Sequence, residues 1–315
     1  MKVLSLFDGI AGAKQVFKNL NIDCEYYASE IDKYALQVAK NNHQDITHIG
    51  DVRKVKLINN LDLLIGGSPC QDLSIAKKNR KGLDGERSGL FYEYVRILKE
   101  CKPKFFVLEN VASMSKESKK LISNELFNIE PILINSSLLT AQQRKRLYWV
   151  GKLQQDGSYK KIDIEQPQDK GILLKDILES GESWQQKLYS LTASYDGAVF
   201  WNTLEKKQRT MITEPIRLGH FNKGSQGDRI YSIQGKSINL SANGGGRGAK
   251  TGLYKIDLPD GDYLIRKLTT IECERLQGFP DNYTNSISNT QAYKCLGNSF
   301  TIPVIEHIIK SILEV

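Results

Sequence analysis

Two residues near the ends of apolar runs carry side chains suited to covalent chemistry. Cys70 follows the run Leu61–Gly66 within Ser68-Pro69-Cys70-Gln71, and a loop thiol becomes a nucleophile when its pKa is lowered. Glu109 ends the run Lys104–Glu109, where partial burial favours a carboxyl that keeps or shares a proton. Because most lone cysteines are packing residues, Cys70 by itself does not define a reaction.

A second group has the residue types of a nucleoside site. Phe7-Asp8-Gly9-Ile10-Ala11-Gly12 lies where an apolar run gives way to a helical pattern, and glycines there let the backbone approach a ligand at a helix N-terminus. Glu30 and Asp51 follow the next two apolar runs, where carboxylates can accept from ribose hydroxyls and an adenine amine. Turns and helix caps use the same residue types, so the prediction of a cofactor site rests on the two acids together.

The elements that must position these residues alternate between strands and helices. The strand candidates are Lys2–Phe7, Cys24–Ser29, Ile46–Gly50, Leu61–Gly66, Lys104–Glu109, Pro131–Leu139 and Arg146–Val150. The helix candidates are Ala11–Leu20, Ile31–Asn42, Leu90–Glu100, Met114–Phe127, Thr270–Leu276 and Ile302–Leu313. This order predicts an α/β fold with a doubly wound, mostly parallel sheet, in which ligands bind beyond the carboxyl ends of the strands.

The chain changes character after Lys152. Residues 153–265 lose the alternation, and nine glycines from Gly219 to Gly252 predict a loop-dominated segment. Residues 201–256 hold ten lysines or arginines against three acidic residues, which is +7 of the chain's net charge of +8. Such a stretch is either a solvated surface or a contact face for a polyanion. The predicted domains are a core at 1–165, an inserted smaller basic domain at 166–262 and a return to the core at 263–315.

Composition excludes several other classes of protein. With 40% hydrophobic and 25% charged residues, the chain of 315 residues is neither disordered nor collagenous, and no apolar run reaches the roughly 18 residues of a membrane helix. The five cysteines stand far apart without metal-ligand spacing, which argues against zinc or disulfides and for a reducing compartment. The N-terminus turns acidic too early for a signal peptide, so we expect a cytoplasmic protein with no metal and no membrane contact.

Six ordered motifs resemble those of the DNA (cytosine-5) methyltransferases. They are Phe7-x-Gly9-x-x-Gly12, Pro69-Cys70-Gln71, Glu109-Asn110-Val111, Gln142-x-Arg144-x-Arg146, the stretch from Arg266 to Pro280, and Gly297-Asn298-Ser299. The resemblance covers residues 1–152 and 266–315, and it is closest to a phage and bacterial branch related to the eukaryotic de novo enzymes. It implies the Rossmann-like fold of class I S-adenosylmethionine-dependent methyltransferases, with a target-recognition domain inserted at the basic segment. Ala11 and Ala141 depart from the commoner glycine and proline of this family.

The resemblance also implies covalent catalysis on a flipped cytosine. The Cys70 thiolate would add to carbon 6, while Glu109 would hold N3 and the exocyclic amine. Arg146 would contact O2, with Arg144 beside it stabilising the loop and the developing charge. Carbon 5 would then take the methyl group of S-adenosylmethionine, and loss of the carbon 5 proton would expel the cysteine. Because the target atom is inaccessible inside a duplex, the base must leave the stack, and the basic loop at 72–89 would close over it as a lid.

Cofactor and DNA contacts follow from the same resemblance. The residues implied to bind S-adenosylmethionine are Phe7, Gly9, Ile10, Gly12, Glu30, Ile31, Asp51, Val52, Pro69, Leu90, Asn298 and Ser299. Without the other motifs, Asn298 and Ser299 would be interpreted as a turn before the last helix. The predicted DNA contacts are Gln71, Ser74, Lys77, Lys78, Arg80, Arg87, Lys223, Arg229, Arg247 and Lys250. Arg247 lies in a glycine-rich stretch that either reads a guanine or rests on phosphate.

Three activities stay open at the level of sequence. The favoured one is a DNA cytosine-5 methyltransferase that acts as a monomer on double-stranded DNA, with a cognate restriction endonuclease encoded nearby, in a prokaryote or a phage. A tRNA cytosine methyltransferase typically has Cys-Phe-Thr in its recognition region, and this sequence has no such tripeptide. A catalytically inactive DNA-binding relative tends to lose the cysteine or the Glu-Asn-Val motif, and both are present here.

Overall fold

The computed structural model describes three stretches of the chain in full and four short strands by their backbone. The full stretches are residues 1–68, 90–179 and 268–315, and the strands lie between 217 and 266. The chain divides into two compact units. One comprises Met1–Asn135, Lys145–Pro167 and Ile302–Val315, and the other comprises Ser136–Arg144 and Gln168–Thr301. Among the helices in the described stretches, none is long and apolar enough to cross a bilayer.

The first unit is built on a mixed sheet of eight strands. The strands are β1 (Lys2–Leu6), β2 (Glu25–Ser29), β3 (Ile46–His48), β4 (Leu63–Gly67), β5 (Phe105–Val111), β6 (Ile132–Asn135), β7 (Lys145–Leu153) and β8 (Tyr159–Lys161). They follow the order β3-β2-β1-β4-β5-β7-β6, with β8 paired to β7. The first five strands run parallel, and β7 runs antiparallel to β5, β6 and β8. The predicted α/β sheet, doubly wound and mostly parallel, is confirmed.

Seven α-helices are described. They are α1 (Gly12–Asn19), α2 (Lys33–Asn42), α3 (Phe91–Cys101), α4 (Lys116–Glu125), α5 (Thr270–Gln277), α6 (Asn289–Asn298) and α7 (Ile302–Leu313). Local chemistry sets their ends: the Asp32 carboxylate accepts from the backbone of Tyr34 and Ala35 at the start of α2, and Thr269 and Glu272 form a capping box on α5. The first unit also has a short 3-10 turn at Val52–Lys54, which begins four residues after the end of β3.

The hydrophobic core lies around the middle of the parallel sheet. Strands that are covered on both faces are rich in apolar residues, and Leu64 in β4, Phe106 in β5 and Trp149 in β7 are fully buried. The indole nitrogen of Trp149 donates to the Ser123 hydroxyl at 3.0 Å, so its polar atom is satisfied inside the core. This packing fixes the strand ends that carry the candidate site.

Replacing Gly151 with alanine is expected to destabilise the first unit by about 1–3 kcal/mol, because the core has no room for the added methyl group. Gly151 lies opposite Phe106 in the β5–β7 pair. A β-carbon there would collide with the Phe106 ring and lie 2.9 Å from the Ile129 Cδ1 atom. Urea unfolding measures the loss, and Phe106→Leu in the same chain should recover part of it. Equal stability of the alanine variant and the wild type would contradict this packing.

The basic region contains more regular structure than its glycines predict. A second sheet runs in the order β12-β11-β10-β9, where β9 is Arg217–His220, β10 is Arg229–Ser232, β11 is Leu253–Asp257 and β12 is Tyr263–Arg266. The loop-dominated segment was predicted from Gly219 to Gly252, and the structure places β10 and the last two residues of β9 within it. Strands of three to five residues offer too little alternation to stand out among glycines. The functional boundaries at residues 165 and 262 stay a prediction.

Two elements of the predicted core also differ in detail. The strand predicted at Pro131–Leu139 ends at Asn135, and Ser136–Leu138 forms a 3-10 turn. Helix α6 was not predicted, because Asn, Thr and Gly are weak helix formers and dilute its pattern. Its buried positions are Ala292, Tyr293, Cys295, Leu296 and Gly297, which is helical spacing.

Candidate active site

A cavity of about 310 Å³ lies in the first unit beyond the carboxyl ends of β1, β2 and β3. Its lining residues are Phe7, Ser29, Glu30, Ile31, Gly50, Asp51, Val52, Arg53 and Leu90. The sheet places the cavity beside its switch point, because β1 has β2 on one side and β4 on the other. Six residues predicted to bind the cofactor are thereby brought together around one cavity.

The loop from β1 to α1 adopts an unusual backbone conformation. Phe7, Gly9 and Ala11 have φ angles of 57°, 61° and 61°, in the left-handed region. Helix α1 starts at Gly12, and no side chain in the described stretches caps its N-terminus. Side chains of the described residues therefore leave the N–H groups of its first turn uncapped. Ile10, within the loop, is fully buried.

Glu30 ties this loop to the end of β2. One carboxylate oxygen accepts from the Gly9 N–H at 2.8 Å, and the other accepts from the N–H groups of Ile31 and Asp32 at 2.7 and 2.8 Å. The carboxylate is held by three backbone donors and still lines the cavity. A carboxylate fixed in this way can accept from ribose hydroxyls without rearranging.

Asp51 lies after β3 and is engaged by Arg53. The Arg53 Nε lies 3.0 and 3.1 Å from the two carboxylate oxygens, and the backbone N–H of Arg53 donates at 3.0 Å. These hydrogen bonds from Arg53 lower the pKa of Asp51 to about 2. The carboxylate is therefore ionised at every working pH, and Arg53 is a cavity residue that sequence reasoning missed.

Asp8 was also missed. Its carboxyl is buried, and one oxygen accepts from the Tyr26 hydroxyl at 2.7 Å. The second oxygen is buried and has no hydrogen-bond partner within the described part of the chain. Burial raises the pKa of Asp8 to about 7, and the charge of Glu30 adds to the increase while the hydroxyls of Ser5 and Tyr26 oppose it.

The carboxyl end of β5 carries an ion pair. Glu109 Oε1 lies 2.8 Å from Arg146 Nε, and both side chains are largely buried. The sequence expectation for Glu109 considered burial alone, whereas β7 supplies a cation. Next to the pair, the Asn110 amide donates to the Ser68 hydroxyl at 3.1 Å, and Glu109 pairs in register with Gly67. The chain that leads to Cys70 therefore leaves the sheet beside Glu109.

In the second unit, the motif that contains Arg144 forms a buried polar network. The Arg144 guanidinium donates to the carbonyl oxygens of Gly297 and Ser299 at 3.0 and 3.2 Å, at the end of α6. The Gln142 amide donates to Gln277 at 3.3 Å, and Gln277 donates to the Leu296 carbonyl at 2.7 Å. These contacts give Arg144 a part in positioning the Asn298–Ser299 segment. The predicted contact of Arg144 with developing charge stays a prediction.

The profile of the C-5 cytosine-specific DNA methylase family matches residues 1–314. The chain belongs to this family. The methylase is 33% identical to the Type II methyltransferase M.HhaI of Haemophilus parahaemolyticus over 324 residues, which cover 99% of this chain and 94% of that protein. It is also 33% identical to the Type II methyltransferase M1.ScrFI of Lactococcus lactis subsp. cremoris, over 100% of this chain and 78% of that one. The predicted identity as a DNA cytosine-5 methyltransferase is confirmed.

Solved structures support the fold of the methylase. The Entamoeba histolytica methyltransferase EhMeth superposes with a TM-score of 0.69 at 19% identity, and the match covers 100% of this chain and 98% of that one. At this level of identity the likeness concerns the fold alone. It agrees with the sheet order and with the predicted class I methyltransferase architecture.

Several predicted site residues of the methylase lie outside the described stretches. These are Pro69, Cys70, Gln71, Ser74, Lys77, Lys78, Arg80, Arg87, Lys223, Arg247 and Lys250. Arg229 lies in β10, which is described by its backbone. Their predicted roles in catalysis, cofactor binding and DNA contact stay predictions.

Proposed function

We propose that the methylase transfers a methyl group from S-adenosylmethionine to carbon 5 of a flipped-out cytosine in a specific double-stranded DNA sequence. Transfer would pass through a bond between the Cys70 sulfur and carbon 6. The observation that carries this proposal is the Glu109–Arg146 pair, with 2.8 Å between its charged atoms. In a parallel sheet, the carboxyl ends of β1 to β5 share one edge, so the pair and the acid-lined cavity lie along the same edge.

The cavity fits an adenine nucleoside. Its volume of about 310 Å³ matches the lower range of small-molecule sites, and its two carboxylates suit ribose hydroxyls and an adenine amine. The apolar side chain of Ile31 is 69% exposed beside Glu30, where an adenine ring would cover it. Phe7 and Leu90 would pack on the adenine as well. When bound, S-adenosylmethionine supplies an electrophilic methyl group with a neutral thioether as its leaving group.

Gly9, Gly12 and the backbone at Ile10 would hold the methionine side of the cofactor. Asn298 and Ser299 would complete that part of the site, positioned by the Arg144 contacts with the carbonyl oxygens of Gly297 and Ser299. Both assignments come from the family motifs and from the conformation of the segments that carry them.

Three residues of the chain have separate roles in the reaction of the target cytosine. The Cys70 thiolate forms a bond to carbon 6, which pushes electrons into the ring and makes carbon 5 nucleophilic. Glu109 holds the N3 edge and the exocyclic amine, and Arg146 stabilises the charge that grows at O2. After carbon 5 gains its methyl group, water removes the carbon 5 proton, and the sulfur–carbon 6 bond breaks to restore the thiolate.

Duplex DNA is the substrate that the family implies, and the basic segment at 201–256 would bind its phosphates. Gln71, Ser74 and the cations of the 72–89 loop would contact the strand around the extruded base, and Arg247 would contact a base edge or a phosphate. The Type II names of the relatives favour a cognate restriction endonuclease as the partner activity. We propose that the methylase itself acts as a monomer.

Asp51→Ala is expected to weaken binding of S-adenosylhomocysteine about 10–100-fold, because the ionised carboxylate no longer accepts from the adenine amine. The same variant should lose the preference for the adenine nucleoside over its inosine analogue, which lacks that amine. Calorimetry on the protein without DNA measures both quantities. Asp163→Ala is the matched control, since the Asp163 side chain is exposed and forms an ion pair with Lys161. Unchanged discrimination in Asp51→Ala would remove Asp51 from the adenine site.

Methyl transfer from labelled S-adenosylmethionine to duplex DNA, and in parallel to tRNA, tests the proposed function. Base-resolution sequencing of the labelled product would follow. We expect label at carbon 5 of cytosines within one short duplex motif, which would also identify the recognition sequence. Label in tRNA alone, or no label despite binding of the cofactor and DNA, would overturn the proposal.

A further inference from the structure

Two side chains hold the backbone on either side of Asp51. The Ser29 hydroxyl donates to the carbonyl oxygen of Gly50 at 2.7 Å, directly before Asp51. The Arg96 guanidinium donates to the carbonyl oxygen of Val52 at 3.2 Å, directly after it. Ser29 and Val52 line the cavity at the ends of β1 to β3, whereas Arg96 belongs to α3 and reaches the cavity wall from behind. The proposed function gives Arg96 no role.

Every donor of the Arg96 guanidinium is engaged. Nη1 and Nη2 both donate to the carbonyl oxygen of Val55 at 3.3 Å, and Nη2 also donates to that of Val52. Nε donates to Glu93 at 2.9 Å, and Nη1 donates to Glu100 at 2.7 Å. These contacts use the five N–H donors of the guanidinium plane. The side chain is therefore fixed in one orientation.

Helix α3 gives this contact a rigid support. Phe91 and Tyr94 of the helix are buried in the core. Val52 and Val55 are buried as well, and buried backbone carbonyls need hydrogen-bond donors. The Val52 oxygen also accepts from the Val55 N–H at 3.2 Å, so a single oxygen closes the 3-10 turn and links it to the helix. Arg96 thereby joins the turn to the core.

We infer that Arg96 is a positioning residue that sets the preference of the site for adenine, by holding the backbone that follows Asp51. This inference rests on the proposed function, because it takes Asp51 to accept from the adenine amine. The direction of the Asp51 carboxylate depends on the backbone at Gly50 and Val52, where one side chain holds each carbonyl. Without Arg96 the Val52 end can move, and a displacement of about 1 Å is enough to lose a hydrogen bond to the amine.

The other contacts around the two acids differ from this one. Arg53 binds the Asp51 carboxylate, but it belongs to the same turn and moves with it. The Glu30 carboxylate is held by three backbone N–H groups, from the β1–α1 loop and from the end of β2. Loss of Arg96 should therefore disturb the adenine end of the cavity and spare the ribose end.

Calorimetry on the full-length methylase without DNA tests this inference. S-adenosylhomocysteine, its inosine analogue and its 2′-deoxyribose analogue are titrated in turn. Arg96→Met keeps an apolar stem and removes every donor. We expect its affinity for S-adenosylhomocysteine to fall about tenfold, and its preference over the inosine analogue to approach that of Asp51→Ala. The preference for ribose over 2′-deoxyribose should keep its wild-type value, because Glu30 is held independently.

Lys99→Met is the matched control, since Lys99 is a cation of the same helix whose ion-pair partner is Glu125 of α4, at 3.3 Å. It should keep both preferences. Arg96→Lys is the second variant, because its ammonium keeps the charge but lacks the planar fork that reaches both carbonyl oxygens. Its preference for adenine should lie between those of the wild type and Arg96→Met. If Arg96→Met fails to fold, a wild-type preference in Arg96→Lys would contradict the inference.

A purely structural role for Arg96 would lower the affinity for all the ligands by the same factor. An unchanged adenine preference in Arg96→Met would therefore overturn the inference and leave the proposed function intact. Loss of the ribose preference together with the adenine preference would overturn it as well, because the whole cavity would then have loosened. A wild type that does not bind S-adenosylhomocysteine, or binds it no better than the inosine analogue, would remove the proposed cofactor site or the proposed role of Asp51, and this inference with it.

Discussion

Replacement of Cys70 with alanine is expected to reduce methyl transfer by about 10⁴-fold or more, because carbon 5 of cytosine is not nucleophilic until a thiolate adds to carbon 6. The segment that bears Cys70 leaves β4 at Ser68, whose hydroxyl accepts from the amide of Asn110 at 3.1 Å. Because Asn110 follows Glu109 in β5, the chain leaves β4 next to Glu109 before it reaches Cys70. Binding of S-adenosylhomocysteine should be unchanged in Cys70→Ala, since the nucleoside cavity lies at the ends of β1 to β3.

Duplex DNA with 5-fluorocytosine in the recognition sequence tests the role of Cys70 in a second way, because it should trap the covalent adduct between the protein and the base. The fluorine cannot leave as the proton does, so the wild type should stay bonded to the base and Cys70→Ala should not. Cys24→Ala is the matched control: burial raises the pKa of the Cys24 thiol, as it does that of Cys101, and both are poor nucleophiles at neutral pH. A covalent adduct formed by Cys70→Ala would show that another residue attacks the ring.

The central fold could be predicted because the strands of a buried parallel sheet have a recognisable sequence pattern. Leu63–Gly67 and Phe105–Leu108 are continuous runs without a charged residue, and the second is followed directly by Glu109. Residues at those ends must share one edge, so the grouping of Phe7, Glu30 and Asp51 around one cavity followed from the order of elements. The short strands β9 to β12 lacked such a signal.

The pairings inside the site could not be predicted, because they depend on tertiary register. Arg146 meets Glu109 only because β7 runs antiparallel beside β5, with Arg146 opposite Val111. Sequence placed a strand at Arg146–Val150 without its direction or neighbours. Asp8 is a similar case, since nothing in Phe7-Asp8-Gly9 distinguishes a solvated turn residue from a carboxyl buried against Tyr26.

Glu109→Gln is expected to lower kcat about 10²–10⁴-fold, because the amide cannot supply or accept the proton at N3 while the ring becomes electron-rich. The KM for DNA should change far less than kcat, since phosphate contacts carry most of the affinity. Steady-state kinetics on a single-site duplex measures both. Glu117→Gln, at an exposed position of α4, is the matched control for loss of a carboxylate. A fall confined to KM would assign Glu109 to binding and not to chemistry.

The ion pair between Glu109 and Arg146 leads to a further prediction for the same kinetic measurement. Glu109 Oε1 and Arg146 Nε are 2.8 Å apart in a largely buried setting, so each side chain depends on the other for its position and for compensation of its charge. Arg146→Ala should therefore cost activity in two ways: it removes the contact with O2, and it leaves the Glu109 carboxylate without its cation. In the double variant Glu109→Gln, Arg146→Ala, the second cost is absent, and the loss of kcat should be smaller than the product of the single losses. Losses that multiply would mean that the two residues act independently on the base.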